Sequence, residues 1–269
     1  MKQGFITRAW SQMPLAWRER IRPIPNFFRR ILWGWRGVRV QAGGASFVVD
    51  YASGTEFYRA RVFPTLEGDF TLVFGALASQ SAVILDVGAN IGLYSLLGAS
   101  KNPAARVYAL EPEPHNLEAI RRNLRANRLE NVTPLPVGLG DRQDTVILRL
   151  EGLSENAAGT GHHVVNDGEG LPILVADLDS LIAAGLVAPP DLIKMDIEGY
   201  EFKALKGMRR LLAERHPDLL IEAHPAILPK HGQSIEEMEA FLAALGYHRR
   251  VFACEDTTLL RAWYWACRE

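Results

Sequence analysis

Residues 83–92, Val-Ile-Leu-Asp-Val-Gly-Ala-Asn-Ile-Gly, constrain this chain more than any other stretch. A short aliphatic run reads as a buried strand, and glycines directly after it permit a tight turn into a helix. From this point such runs alternate with segments of helical period, the signature of a parallel sheet with crossover helices. The pattern predicts strands at Ala82–Val87, Arg106–Leu110, Val132–Val137, Asp191–Met195 and Leu219–Ala223, with further short runs at Thr145–Leu150 and Ile173–Val175. Helices are expected at Leu93–Ser100, 115–127, Leu178–Ala184, 201–213 and 234–245, the last stopped by Gly246 in a left-handed cap. Tyr247–Ala253 and Thr258–Trp265 alternate as a closing antiparallel pair.

Ahead of this region, Val38–Val40 and Ser46–Tyr51 flank Ala42-Gly43-Gly44 and read as a hairpin expected to cover one edge of the core. The expected organisation is a basic arm with this hairpin over residues 1–65 and one α/β domain over 66–269. At 269 residues and 48% hydrophobic content the chain can bury one substantial core. Its net charge of −1 argues against a nucleic-acid partner. That average hides nine Lys or Arg against the single acid Glu19 in residues 1–40, among Trp10, Trp17, Trp33 and Trp35. Such an arm suits peripheral contact with an anionic membrane, or packing on the domain; Pro14, Pro23 and Pro25 break any long amphipathic helix in it. No apolar run suggests a signal peptide or a membrane span, so a cytoplasmic protein is expected. Cys254 and Cys267 are too few for a disulfide framework or a cysteine zinc site.

In doubly wound sheets ligands lie beyond the C-terminal strand ends, which makes the loop at 86–92 the expected place for one. A dinucleotide loop sets Gly-x-Gly-x-x-Gly against a pyrophosphate, whereas this loop has Gly88-x-Asn90-x-Gly92 with Asp86 two residues before the first glycine. A carboxylate there repels pyrophosphate and favours a cationic amino-acid ligand; unlike charges about 4 Å apart attract by roughly 4 kcal/mol at an effective dielectric near 20. Nineteen residues after Gly92 the second strand ends in Glu111-Pro112, where a carboxylate can accept both ribose hydroxyls of an adenosine. Glu111 fits either cofactor class, and Asp86 tips the choice to S-adenosylmethionine.

Taken in order, Asp86-Val-Gly-Ala89-Asn90-Ile-Gly92, Glu111-Pro112, Lys194-Met-Asp-Ile-Glu-Gly199 and Glu222-Ala-His224 resemble the FkbM family of methyltransferases over about residues 65 to 250. The resemblance implies a Rossmann-like class I methyltransferase, with a seven-stranded, mostly parallel sheet and a C-terminal antiparallel hairpin. It also implies S-adenosylmethionine as cofactor and methyl transfer to oxygen, usually a hydroxyl of a sugar, glycolipid or polyketide. Glu67 matches a glutamate of the family pattern, and Gly138-Leu-Gly-Asp141 matches the region that borders adenine. Nothing in residues 1–60 or the loop 151–170, which holds His162 and His163, matches a motif.

Asp196 and Glu198 stand two apart at one strand end, Glu222 and His224 two apart at another, so each pair shares a face if its strand persists that far. In the implied fold those strands are neighbours, and four polar groups converge where an acceptor would sit, with Lys194 available to neutralise carboxylates. A hydroxyl acceptor must lose its proton as the new bond forms, which His224 or Asp196 could take. The same groups could instead hold Mg²⁺ or a similar divalent cation. Competing readings are a nucleoside-binding scaffold without turnover and a nicotinamide oxidoreductase. The acceptor, a small molecule or glycan that could be lipid-linked, is not specified by any of these residues.

Overall fold

The computed structural model describes residues 37–150, 163–165, 168–255 and 259–266. The tryptophan-rich arm, His162 and most of the loop 151–170 lie outside the described residues. The chain from Val38 forms one compact unit. It opens with the hairpin β1 (Val38–Ala42) and β2 (Ala45–Val49), turned by Gly43 and Gly44 at φ 54° and 74°. Helices α1 (Gly54–Leu66) and α2 (Gly68–Ala78) follow. Then come β3 (Val83–Val87), α3 (Leu93–Lys101), β4 (Arg106–Leu110), α4 (Pro114–Asn127) and β5 (Val132–Leu135).

An excursion of short strands, β6 (Gly138–Leu139), β7 (Asp144–Arg149), β8 (His163–Val165) and β9 (Leu171–Ala176), leads to α5 (Leu178–Ala183) and β10 (Leu192–Asp196). Helices α6 (Glu201–Lys206) and α7 (Arg209–Arg215), strand β11 (Asp218–Ala223), helix α8 (Ile235–Ala244) and strands β12 (Tyr247–Glu255) and β13 (Leu259–Ala266) complete the chain.

The seven-stranded sheet runs β12-β13-β11-β10-β3-β4-β5. It is parallel from β11 to β5, and β13 inserts antiparallel between β11 and β12. This is the seven-stranded, mostly parallel sheet with a C-terminal antiparallel hairpin that the resemblance implies. Helices cover both faces, so β3 is buried along its whole length and can be aliphatic throughout except at Asp86. Ile84 packs into the layer that holds Phe74 and Leu97, while Leu85 and Val87 face the layer that holds Leu205 and Leu212.

Three features differ from the sequence reading. The hairpin packs on the core, whose edge it was expected to cover, and belongs with the domain: Val40, Phe47 and Val49 share a core with Phe74, Ile84 and Leu97. Asn127 and Asn123 of α4 bind the main chain of Val48 and Asp50, so the division expected at residue 65 falls inside the compact unit. The excursion β6–β9 forms its own four-stranded sheet, ordered β6-β9-β7-β8, and takes up the runs at 145–150 and 173–175. His163, read as part of the loop 151–170, starts β8 and is buried. The predicted helix 201–213 breaks at Gly207, where the backbone meets that of Gly140 so closely that a Cβ would lie 1.9 Å from the Gly140 oxygen.

Candidate active site

Strand β3 has β4 on one side and β10 on the other, the point at which the winding of the sheet reverses, and a partly open cleft lies beyond these strand ends. Its floor is the loop after β3. Gly88, Asn90 and Gly92 take positive φ at 72°, 53° and 87°, so the chain alternates through left-handed positions that glycine and asparagine tolerate. The Gly88 and Ala89 amides donate to the Leu110 carbonyl at 3.0 and 3.1 Å, which pins the loop to the end of β4.

Glu111 is the second support of that loop. One carboxylate oxygen accepts the Asn90 amide at 2.7 Å and the other the Glu113 amide at 2.9 Å. Burial outweighs these bonds and pushes its pKa up to about 7. Each oxygen retains capacity for a further donor, so Glu111 can hold the loop and a ribose together. Asn116, on the first turn of α4, and Gly138 extend this end of the cleft. The small sheet forms an apolar wall through Leu148, Val164, Ile173 and Val175.

Of the residues expected to hold a cofactor, Gly88, Asn90, Glu111, Pro112, Gly138 and Asp196 line the cleft. Asp86, Ala89, Gly92 and Asp141 do not. Asp141 is exposed, Ala89 is buried in the core, and the α-carbon of Gly92 backs onto Ile120. Asp86 is fully buried beneath the loop, where Ser95 Oγ donates to it at 2.6 Å and Lys194 stands in register on β10. Burial raises its pKa, with Lys194 opposing. Of the two routes open to it from spacing, direct contact with a cationic ligand or action through water, Asp86 does not make the first from this position, and its charge reaches the cleft through Lys194 and the loop.

At the other end Asp196 closes β10 and Glu198 follows in a left-handed turn at φ 53°. The strand does not persist to Glu198, yet the turn still brings that carboxylate to His224. His224 Nε2 lies 3.3 Å from Glu198 Oε2 and 4.0 Å from Asp196 Oδ1, and its Nδ1 lies 3.2 Å from Glu201 Oε1. Burial would depress the imidazole, but Glu201, Asp196 and Glu198 outweigh it and raise its pKa to about 9. Burial and then Asp196 push Glu198 up to about 7. For Asp196 burial is overcome by Lys194 and His224, and its pKa falls below the ordinary value.

Glu222 does not join this group. Arg261 of β13 binds it in a fork, Nε to Oε2 at 2.6 Å and Nη2 to Oε1 at 3.2 Å, so three of the four expected groups converge. Lys194 is buried under the cleft, 3.4 Å from Asp196 and over the ring of Tyr94, whose hydroxyl donates to Glu67. Burial lowers its pKa, but Asp196, Asp86, Glu67 and Glu222 raise it more, so it remains a cation. Sequence reasoning missed Glu201, Arg59, Asn116 and Tyr200. Glu201 carried a readable signal, an acid three residues after Glu198 at the start of a helix; Arg59 reaches the cleft from α1 and had none.

The methyltransferase FkbM domain matches residues 86–249. The hexuronic acid methyltransferase AglP of Haloferax volcanii is 30% identical over 154 residues, covering 57% of this chain and 60% of that protein. The 31-O-demethyl-FK506 methyltransferase FkbM of Streptomyces tacrolimicus is 27% identical over 204 residues, covering 62% of this chain and 78% of that protein. Among solved structures, methyltransferase FkbM from Methylobacillus flagellatus aligns with a TM-score of 0.49 at 22% identity, over 78% of this chain and 53% of that one. The chain thus spans about three fifths of the length of the Haloferax relative.

Proposed function

The chain belongs to the methyltransferase FkbM family, and we propose that it transfers the methyl group of S-adenosylmethionine to a hydroxyl oxygen of a sugar, glycolipid or secondary metabolite. The observation that carries this reading is the two-ended cleft, with the Gly88–Asn90 loop and Glu111 at one end and Asp196, Glu198 and His224 at the other. The names of two relatives, one for a hexuronic acid methyltransferase and one for a 31-O-demethyl substrate, support an oxygen-rich acceptor.

Transfer from a sulfonium is an in-line displacement: the acceptor oxygen forms a bond to the methyl carbon as the sulfur–carbon bond breaks and its electron pair stays on sulfur. The cofactor supplies the electrophile, and this chain's residues supply alignment, which is worth several kcal/mol. Glu111 orients the nucleoside end, and the glycine loop allows the cofactor to approach the backbone closely. At the far end the acceptor's proton must leave. His224 already carries a proton at neutral pH, which leaves the two carboxylates, or a cation held by them, to drive that departure.

Calorimetry tests the cofactor half: S-adenosylmethionine should bind and NAD should not, and failure to bind S-adenosylmethionine overturns the reading. Glu111→Ala should weaken binding at least tenfold, since two charge-assisted bonds of about 1.5–3 kcal/mol each are removed. The affinity should also depend on pH. The free site holds a proton on Glu111 below about 7, while the ribose hydroxyls favour the anion, so binding releases a proton and tightens as pH rises. Between pH 6 and 8 the dissociation constant should fall by about tenfold, and Glu111→Gln should remove that share of the slope. An unaltered slope in Glu111→Gln would assign the titration to another group. Labelled cofactor with hexuronic acids, neutral sugars and lipid extracts then identifies the acceptor.

A further inference from the structure

We propose that Asp196, Glu198 and His224 form a site for a divalent cation of the Mg²⁺ or Mn²⁺ class, at which the acceptor binds through two adjacent oxygens. Among the described residues this is the one group of three such side chains whose ligand atoms all lie within 4.8 Å of one another. Ligands about 2.1 Å from a common octahedral ion lie roughly 3 Å apart when adjacent. The 3.3 Å and 4.0 Å separations from His224 Nε2 therefore need only a small contraction around an ion.

A second observation concerns Glu201. This carboxylate is fully buried, and its Oε1 accepts the Gly199 amide at 3.0 Å and meets His224 Nδ1 at 3.2 Å. It thereby turns Nε2 toward Asp196 and Glu198, the arrangement of a carboxylate behind a metal-binding imidazole, and an ion bound there would take the place of the Nε2 proton. The other oxygen of Glu201 is buried with no hydrogen-bond partner. A buried carboxylate oxygen left without a partner calls for a further donor or an ion near it. Two carboxylates and one imidazole form a hard, mixed donor set that suits Mn²⁺ or Mg²⁺ better than a thiophilic metal.

The ligands come from two strand ends, and Asp196 and Glu198 line the cleft, so the remaining coordination positions face the space that the acceptor must occupy. An ion there would bind a vicinal diol or a hydroxy acid at two oxygens and lower the pKa of the reacting hydroxyl. The proton would leave to the water of the cleft, and the anionic oxygen would then attack the methyl carbon. The role in acceptor binding rests on the methyltransferase reading; the binding of the ion does not.

The test uses full-length protein stripped with EDTA and returned to chelator-free buffer. Titration with Mn²⁺, followed by the electron paramagnetic resonance of the free ion, should show one ion per chain, displaced by excess Mg²⁺. His224→Ala and Glu198→Gln should each weaken it at least tenfold. Glu201→Gln, a positioning change, should weaken it by roughly 10–100-fold. Glu118→Gln, on the exposed face of α4, should leave it unchanged. Binding of S-adenosylmethionine in EDTA reports whether each variant is folded. Should the variants not fold, the wild-type melting temperature must still rise with Mn²⁺ and return with EDTA. Absence of a saturable site, or one that His224→Ala and Glu198→Gln both leave intact, overturns the proposal. Wild-type protein that binds S-adenosylmethionine but no Mn²⁺ removes the ion alone; one that binds Mn²⁺ but no S-adenosylmethionine removes the methyltransferase role and leaves the ion site standing.

Discussion

Gly88→Ala should abolish useful cofactor binding, with a loss of roughly 100-fold or more, about 2.8 kcal/mol. Gly88 has φ 72°, and a Cβ placed on it would lie 2.0 Å from the carbonyl oxygen of Asp196 and 2.9 Å from the Ile197 side chain. Neither obstacle is the end of a flexible chain: one is the backbone of β10, and the other is held at the strand end beside it. The methyl group can be accommodated only if β3 and β10 part at their C-terminal ends, which displaces the loop amides at one end of the cleft and Asp196 at the other. The left-handed conformation adds about 1–2 kcal/mol for any residue with a Cβ. Gly185→Ala is the matched control, because Gly185 has a similar φ of 71° with nothing within 4 Å. It should lower stability by the conformational cost alone and leave S-adenosylmethionine binding unchanged. Calorimetry and thermal melting of the two variants side by side isolate the steric contribution, and equal binding by Gly88→Ala and wild type would remove the loop from the site.

The strands and helices of the large sheet were legible because period and length separate buried parallel strands from crossover helices, and the closing pair alternates as an antiparallel hairpin should; the order of the strands came only as what the family resemblance implies. Parity along β3 also carries the orientation of Asp86. It shares a face with Ile84, which packs on the layer of α2 and α3, so its side chain points beneath the loop to Ser95. Helix α1 also had a signal that went unread: Ser53-Gly-Thr-Glu56 is a capping pair, with Ser53 accepting the Glu56 amide and Glu56 accepting the Ala52 amide. The small sheet was beyond local reading. Its order β6-β9-β7-β8 depends on pairings set by tertiary contacts and not by alternation in any one segment. The same holds for the left-handed turn at Glu198, where a residue without a glycine's freedom leaves the strand and still meets His224.

Arg261→Ala should destabilise the fold by about 3–5 kcal/mol, because it strands a buried carboxylate. The Glu222 and Arg261 side chains are 11% and 16% exposed, and Arg261 also donates to the Leu66 carbonyl at the end of α1. The sign of the pH dependence follows from Glu222. Burial, then Asp196, already hold its pKa above the ordinary value in the intact pair, and loss of the guanidinium raises it further. A carboxyl group with a raised folded-state pKa favours the folded state while protonated and loses that advantage as pH climbs from its unfolded value toward its folded one. The deficit of Arg261→Ala should therefore be larger at pH 8 than at pH 5, in urea denaturation at each pH. Replacing both partners, Glu222→Leu with Arg261→Met, removes the charge and the need for it together, and should recover most of the stability. If that double variant also binds S-adenosylmethionine as the wild type does, Glu222 serves to fasten β11 to β13. A deficit below about 1 kcal/mol at both pH values would instead place the pair among exposed ion pairs and return Glu222 to the set of groups free to meet the acceptor.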